Sequence, residues 1–281
     1  GLSRFVNIGQ KGGGNYLKEN TTWAKTTIAH NTLSLNQEMH FKGQYAVGSQ
    51  HHSELYVYDD SRPEVQVVSA TETNAYPGTK MHRTMVMIKD ENFTKPFLLD
   101  IMKVATNAKQ DYDLPYYFLG QVISTNFEYA SPSTLVPLGK KNGYQHLYLE
   151  GQGQPSIDNT KLSWLNEGKF YTLTSATNTT AEFLFTRMGA NDPEFNIRRE
   201  AALIIRRNDT QDTTFATVIE PHGSYSPVTE ASLDSSSNIA NLAVVHDDEQ
   251  YTAIQITDLS GNVQLFILAN LDAKASTTHR L

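Results

Sequence analysis

The sequence predicts an all-β fold, a large antiparallel two-sheet β-sandwich, on three observations. Short runs rich in β-branched and aromatic residues recur along the whole chain. Gly, Asn, Asp, Ser and Pro separate them, and no βαβ alternation or long amphipathic helix intervenes.

In chain order, the clear cases are TTIAHNTLSL (26–35), EVQVVSA (64–70) and HRTMVMI (82–88). FLLDIMKV (97–104) comes next. QVISTNFEY (121–129), HLYLEG (146–151), KFYTLTSA (169–176) and AEFLFTRM (181–188) follow. EAALIIRR (200–207), TFATVIEP (214–221), NLAVVHD (241–247), YTAIQITD (251–258) and NVQLFILAN (262–270) complete the set. DLSGNV and LNEGKF read as tight hairpin turns in which Gly takes positive φ. Residues 36–62 and 130–145 read as the least structured, and the Ser-rich stretch 227–238 as a surface excursion. No composition shift or fixed-period repeat divides the chain, so residues 1–281 read as one β-sandwich domain.

The 281 residues carry 23 Lys plus Arg against 30 Asp plus Glu, a formal charge of −7. That balance argues against a protein whose affinity comes from neutralising nucleic acid phosphates. There is no cysteine, so disulfides and thiolate metal sites are excluded and any metal must rest on His, Asp or Glu. No stretch approaches the roughly 18 consecutive apolar residues of a membrane-spanning helix. SRFVNI is already strand-like at residues 3–8, with no leader or polar tail before it, which leads us to expect that the chain begins inside a longer one.

Three places could carry chemistry. GQKGGGNYLKEN (9–20) lacks both the strand–glycine–helix context of a dinucleotide fingerprint and the Lys-Ser/Thr of a phosphate loop. It reads either as a surface turn or as a loop whose glycines let the backbone approach a ligand and aim Tyr16 at it. Arg4, Lys11 and Lys18 are close enough in sequence to lower the phenol pKa. His30, in TIAHNTL, reads as a strand histidine bonded to backbone, or as a metal ligand whose partners are not evident from spacing. FTRMGANDPEFNIRREAALIIRR (185–207) places Arg198, Arg199 and Glu200 before a strand ending in Arg206 and Arg207. It is either a solvated charged edge or an arginine fork for a substrate carboxylate.

RFVNIGQKGGGNYLKENTTWAKTTIAHNTLSLN resembles the start of the C-terminal β domain of heparinase II/III-like polysaccharide lyases, particularly the oligoalginate lyases of polysaccharide lyase family 17. The likeness continues through HRTMVMI, KPFLLDIMKV, YDLPYYFLGQ, KNGYQHLYLEG and FTRMGANDPEFNIRRE. It implies a supersandwich-like fold and an enzyme that cleaves alginate oligosaccharides by β-elimination across a cleft shared with an N-terminal (α/α) toroid. By the resemblance, the toroid brings an Asn-His pair and a Tyr, Arg4 binds substrate, and Tyr16 is the second, catalytic Tyr. His30 becomes one ligand of a structural zinc whose other ligands lie outside this chain. Arg199 and Glu200 are expected as substrate-binding residues at the far end of the cleft.

The toroid is absent from these 281 residues, so the chain is expected to be inactive without one, supplied by the parent chain or by a second polypeptide. The resemblance also implies a periplasmic or outer-membrane-associated location in a bacterium. The competing expectation is a non-catalytic carbohydrate-binding or structural sandwich, with Tyr116, Tyr117 and Trp164 as an aromatic platform. A metal-dependent hydrolase would need more ligand-spaced His and Asp than the sequence offers.

Overall fold

The computed structural model describes residues 18–177, 181–189, 197 and 199–273. Among them, the strands form three antiparallel sheets. The first runs β1 (Ser34–Leu35), β6 (Gln110–Tyr117), β12 (Ala201–Thr210), β11 (Ala181–Met188) and β8 (Leu147–Gly153). The second runs β2 (Glu54–Arg62), β3 (Val65–Glu72), β4 (Thr79–Ile88), β5 (Phe97–Thr106), β13 (Thr213–Ser226), β10 (Lys169–Ala176), β9 (Asn159–Asn166) and β7 (Gln121–Thr125), with β14 (Ala231–Leu233) beside β13. The third runs β15 (Ile239–Asp247), β16 (Tyr251–Asp258) and β17 (Val263–Ala269). The all-β sandwich is as the sequence predicts, with a third, smaller sheet added to it.

Strand alternation distributes the apolar residues among three cores. Phe183 and Phe185 of β11 and Leu203 and Ile205 of β12 face Met102, Val104, Leu173 and Phe215 of the second sheet. The intervening Leu184, Met188, Ala202 and Ile204 point the other way, where Trp23, Ile28, Ala29 and Tyr144 cover them. On the second sheet, Leu99, Ile101, Ala216 and Val218 likewise turn outward, against Ile239, Leu242, Ile254 and Ile256 of the third. The central strands of both main sheets are therefore buried on both faces, which is why FLLDIMKV is a near-continuous apolar run broken by Asp100 and Lys103. Each fully buried Leu, Ile or Phe contributes roughly 1.5–3 kcal/mol of transfer free energy.

Both expected hairpins form. Glu167 and Gly168 take φ of 49° and 73° between β9 and β10, the left-handed pair a two-residue turn requires. Asp258 Oδ1 accepts the amides of Ser260 and Asn262 between β16 and β17.

Other local expectations are corrected. Residues 26–35 are not a strand: Thr27–Ala29 is a short 3₁₀ turn and only Ser34–Leu35 pairs in a sheet. Thr26 Oγ1 donates to the Trp23 carbonyl at 2.7 Å, and the apolar residues here bury as a cover over the first sheet. Strand β7 stops at Thr125, short of Tyr129. Strand β2 lies within the stretch read as least structured; all nine of its residues are exposed, so no alternation marks it.

Strands β6 and β9 also went unmarked, β6 because Pro115 sits inside it. The Tyr117 amide donates to Asn31 Oδ1 at 2.9 Å, away from β12. Pro115, of the same parity, therefore lacks its N–H on the edge side, beyond the end of β1, where no ladder bond is lost.

Candidate functional site

At one end of the first sheet a cleft of about 620 Å³ opens among β8, β11, the approach to β12 and the β6–β7 turn. Its wall carries Glu150, Arg187, Arg199 and Glu200, with Tyr129 beside them. The sequence-nominated pair Arg199 and Glu200 thus meets side chains from elements about 50 to 80 positions away in the sequence.

A β-bulge aims Glu150. Phe185 opposes Gly151 while Thr186 opposes Leu149, so Glu150 is the extra residue on β8. Its Oε1 accepts Arg187 Nε at 2.5 Å. The Glu200 carbonyl accepts the Met188 amide at 3.0 Å, which fixes the backbone of the Arg199–Glu200 pair against β11.

Tyr129 leaves 46% of its surface exposed and rests on Phe185, ring centroids 4.5 Å apart. Gly120 makes the opposite wall. It takes φ +104°, and a Cβ there would lie 2.1 Å from the Leu165 carbonyl oxygen, so only glycine lets the turn close onto β9. Two guanidinium groups, two carboxylates and an exposed ring suit a sugar that carries a carboxylate. Arginine forks pair with carboxylates, carboxylate oxygens accept hydroxyl protons, and a ring face stacks on the sugar.

Tyr129, Glu150 and Arg187 were not anticipated. Their signal is tertiary, because a bulge and a loop bring them together. Arg4 and Tyr16, together with the glycine loop, lie outside the described residues.

The aromatic-platform expectation is corrected. Tyr116, Tyr117 and Trp164 are 5%, 7% and 3% exposed, and their side chains pack inside the cores. The Arg206–Arg207 end of the strand is not a solvated edge either. Arg206 forks onto Asp113, Nε to Oδ1 at 2.6 Å and Nη2 to Oδ2 at 2.9 Å, while Arg207 is buried.

His30 is exposed at the end of the 3₁₀ turn rather than inside a strand, and its Nε2 lies 3.0 Å from the Ala24 carbonyl. A histidine whose one nitrogen is held by a backbone carbonyl is oriented in the way metal-binding imidazoles usually are. Among the described residues no group of three or more His, Asp or Glu is placed to hold a metal ion. Asn31, the neighbour of His30, bonds to Tyr117, which pairs with Ala202 of the cleft wall, so the His30 turn borders the same end of the sheet.

Comparison with known proteins agrees with this architecture. The family model described as heparinase II/III-like, C-terminal, matches residues 2–254. An alginate lyase of Stenotrophomonas maltophilia is 40% identical over 243 residues, 86% of this chain and 33% of that protein. An exo-oligoalginate lyase of Saccharophagus degradans is 33% identical over 285 residues, 100% of this chain and 38% of that protein. A solved heparinase III structure superposes with a TM-score of 0.57 at 15% identity, covering 95% of this chain and 33% of that one; at that identity the likeness speaks for the fold. The chain thus spans only about a third of the length of the relatives it matches.

Proposed function

The chain belongs to the heparinase II/III-like C-terminal family, and from that premise we propose that it is the β part of a lyase that cleaves alginate oligosaccharides by β-elimination. The observation that carries the reading is the cleft itself, in which Arg199 and Glu200 stand with Arg187, Glu150 and Tyr129 around a space sized for a sugar. The similarity to alginate lyases over 86% and 100% of the chain supports the substrate class.

β-Elimination needs three things: neutralisation of the uronate carboxylate so that the C5 proton becomes acidic, a base to remove it, and an acid for the departing O4. On this reading an arginine offsets the carboxylate charge. Arg4 does so beside the reacting sugar, and Arg199, with Glu200 taking hydroxyl hydrogen bonds, holds the chain further along. Tyr16 contacts the reacting residue as its catalytic phenol. An (α/α) toroid, from the same polypeptide or another, closes the cleft and contributes the remaining groups, so this chain acts only with it.

His30 serves as one ligand of a structural zinc whose other ligands come from outside the described residues. Such a metal would fasten the turn that borders the cleft. A periplasmic or outer-membrane-associated site of action belongs to the same reading.

The test is to incubate the chain with alginate oligosaccharides, alone and with a toroid domain, and follow the ultraviolet absorbance of unsaturated uronate. The expected result is a rise only in the mixture, abolished by Tyr16→Phe. No rise with both parts folded would reject the lyase reading.

A further inference from the structure

A second cavity, of about 470 Å³, lies at the end of the sandwich where β12, the β12–β13 turn and β15 meet, and its wall includes Arg207, Asp158, Asp212, Asn241 and Asp247. Arg207 is 4% exposed. Its Nη1 donates to Thr213 Oγ1 and, at 2.8 Å, to the Thr214 carbonyl, and its guanidinium carbon sits 4.3 Å over the Phe215 ring. Nε is buried without a hydrogen bond, and Nη2 has none within the described residues.

The adjacent Arg206 forks onto Asp113; Arg207 has no carboxylate within ion-pair distance among the described residues. Burial pulls its pKa down to about 10, with Asp247 opposing, so the group is still cationic at neutral pH. A buried charge is expensive unless an opposite charge meets it. Phe215 and two neutral acceptors offset only part of that cost.

We propose that this cavity is a second saccharide site, separate from the cleft, in which Arg207 takes the carboxylate of a single uronate residue. The choice of ligand follows from the wall. Asp212 Oδ1 accepts the Thr106 amide, and Asp247 Oδ1 accepts Lys103 and Thr252, which leaves Oδ2 of each without a hydrogen bond among the described residues. Those oxygens, Asp158 and Asn241 suit sugar hydroxyls and repel a polyvalent anion such as sulfate or phosphate. One carboxylate among several hydroxyls is the composition of a uronate. The volume falls in the lower range of small-molecule pockets, enough for one ring. The identity of the ligand rests on the proposed lyase reading; the existence of a carboxylate site does not.

The experiment is calorimetric titration of the chain with monomeric mannuronate and guluronate, with mannose, acetate and phosphate as controls. It needs no toroid and no turnover, so its failure is distinguishable from failure of the lyase reading. The expected result is binding of a uronate but not of the controls. The titrations use an Arg199→Ala background, which removes a carboxylate partner of the cleft, and there the binding should be weaker on the order of thirtyfold when Arg207→Gln is added. Because Arg207→Gln alters a buried position, Asp158→Arg at the exposed rim provides the second variant. It is expected to fill the mouth and weaken binding by about tenfold or more. In that background, uronate binding that survives Asp158→Arg at full strength, or no uronate binding at all, would overturn the proposal. Equal binding of acetate would overturn the saccharide assignment.

Discussion

Arg83 on β4 grips both carboxylate oxygens of Asp100 on the neighbouring β5, Nε to Oδ1 at 2.8 Å and Nη2 to Oδ2 at 2.7 Å. Its Nη1 donates to the Asn31 carbonyl, and the Tyr116 hydroxyl lies 3.3 Å from Asp100 Oδ2. One buried carboxylate therefore orients the arginine that ties the His30–Asn31 turn to the second sheet. Asp100→Asn keeps the volume and removes the charge, leaving Arg83 without its counterion. We expect a loss of about 3 kcal/mol, read as a lower denaturant midpoint with unchanged slope. A change below 1 kcal/mol, roughly the worth of a surface pair, would show that the anchor is dispensable.

Gly120→Ala should be more damaging than an ordinary surface substitution. The new methyl meets the Leu165 carbonyl at 2.1 Å and forces a positive φ on an L side chain. Strain and overpacking together predict a loss of about 3 kcal/mol. Because the turn walls the cleft, oligosaccharide binding should fall with it. A variant as stable as the parent would mean that the β6–β7 turn relaxes freely.

His82 makes stability depend on pH. It is 6% exposed, with Nε2 2.6 Å from Ser69 Oγ and its ring 4.7 Å from that of Tyr56. Burial first, and Lys103 second, hold its pKa down to about 4 from the usual 6.5. Above pH 6.5 the imidazole is neutral in both folded and unfolded chains, and its contribution is fully present. As pH falls from 6.5 toward 4, the unfolded chain takes up a proton that the folded one refuses, so stability is lost. At pH 5 the loss from this group is about 2 kcal/mol. Chemical denaturation at pH 7, 6 and 5 should give a shallower fall for His82→Gln than for the parent; parallel curves would place the acid sensitivity elsewhere.

Cleft residues should affect substrate rather than folding. With the toroid present, Arg199→Ala is expected to raise KM for alginate oligosaccharides by about tenfold, the worth of one charge-assisted hydrogen bond, with kcat little changed. Glu200→Gln should move KM less, since an amide oxygen still accepts a hydroxyl proton. A fall in kcat at constant KM would place Arg199 at the reacting sugar instead.

The sequence by itself was enough for the fold class, for most strands of the second and third sheets, and for the hairpins at Glu167–Gly168 and Ser260–Asn262. Each of these rests on a local cause, a β-branched run or a residue tolerating positive φ. It also nominated Arg199 and Glu200. Strand β2 escaped notice because exposure on both faces erases the period-two pattern, and β6 because Pro115 is harmless only where the neighbouring strand has ended.

The tertiary structure alone decided where the side chains of the nominated residues go. Arg206 and Arg207 are chemically identical neighbours, yet pleating sends one to Asp113 and the other into a cavity beneath the third sheet. Glu150 turns toward Arg187 only because a bulge adds one residue to β8. TTIAHNTLSL has the composition of a strand, but the first sheet offered its outer face and Ile28 and Ala29 buried there instead. Local propensity is worth tenths of a kcal/mol per residue, whereas burying one large apolar side chain is worth about 2 kcal/mol. Where the two conflicted in this chain, long-range packing set the outcome.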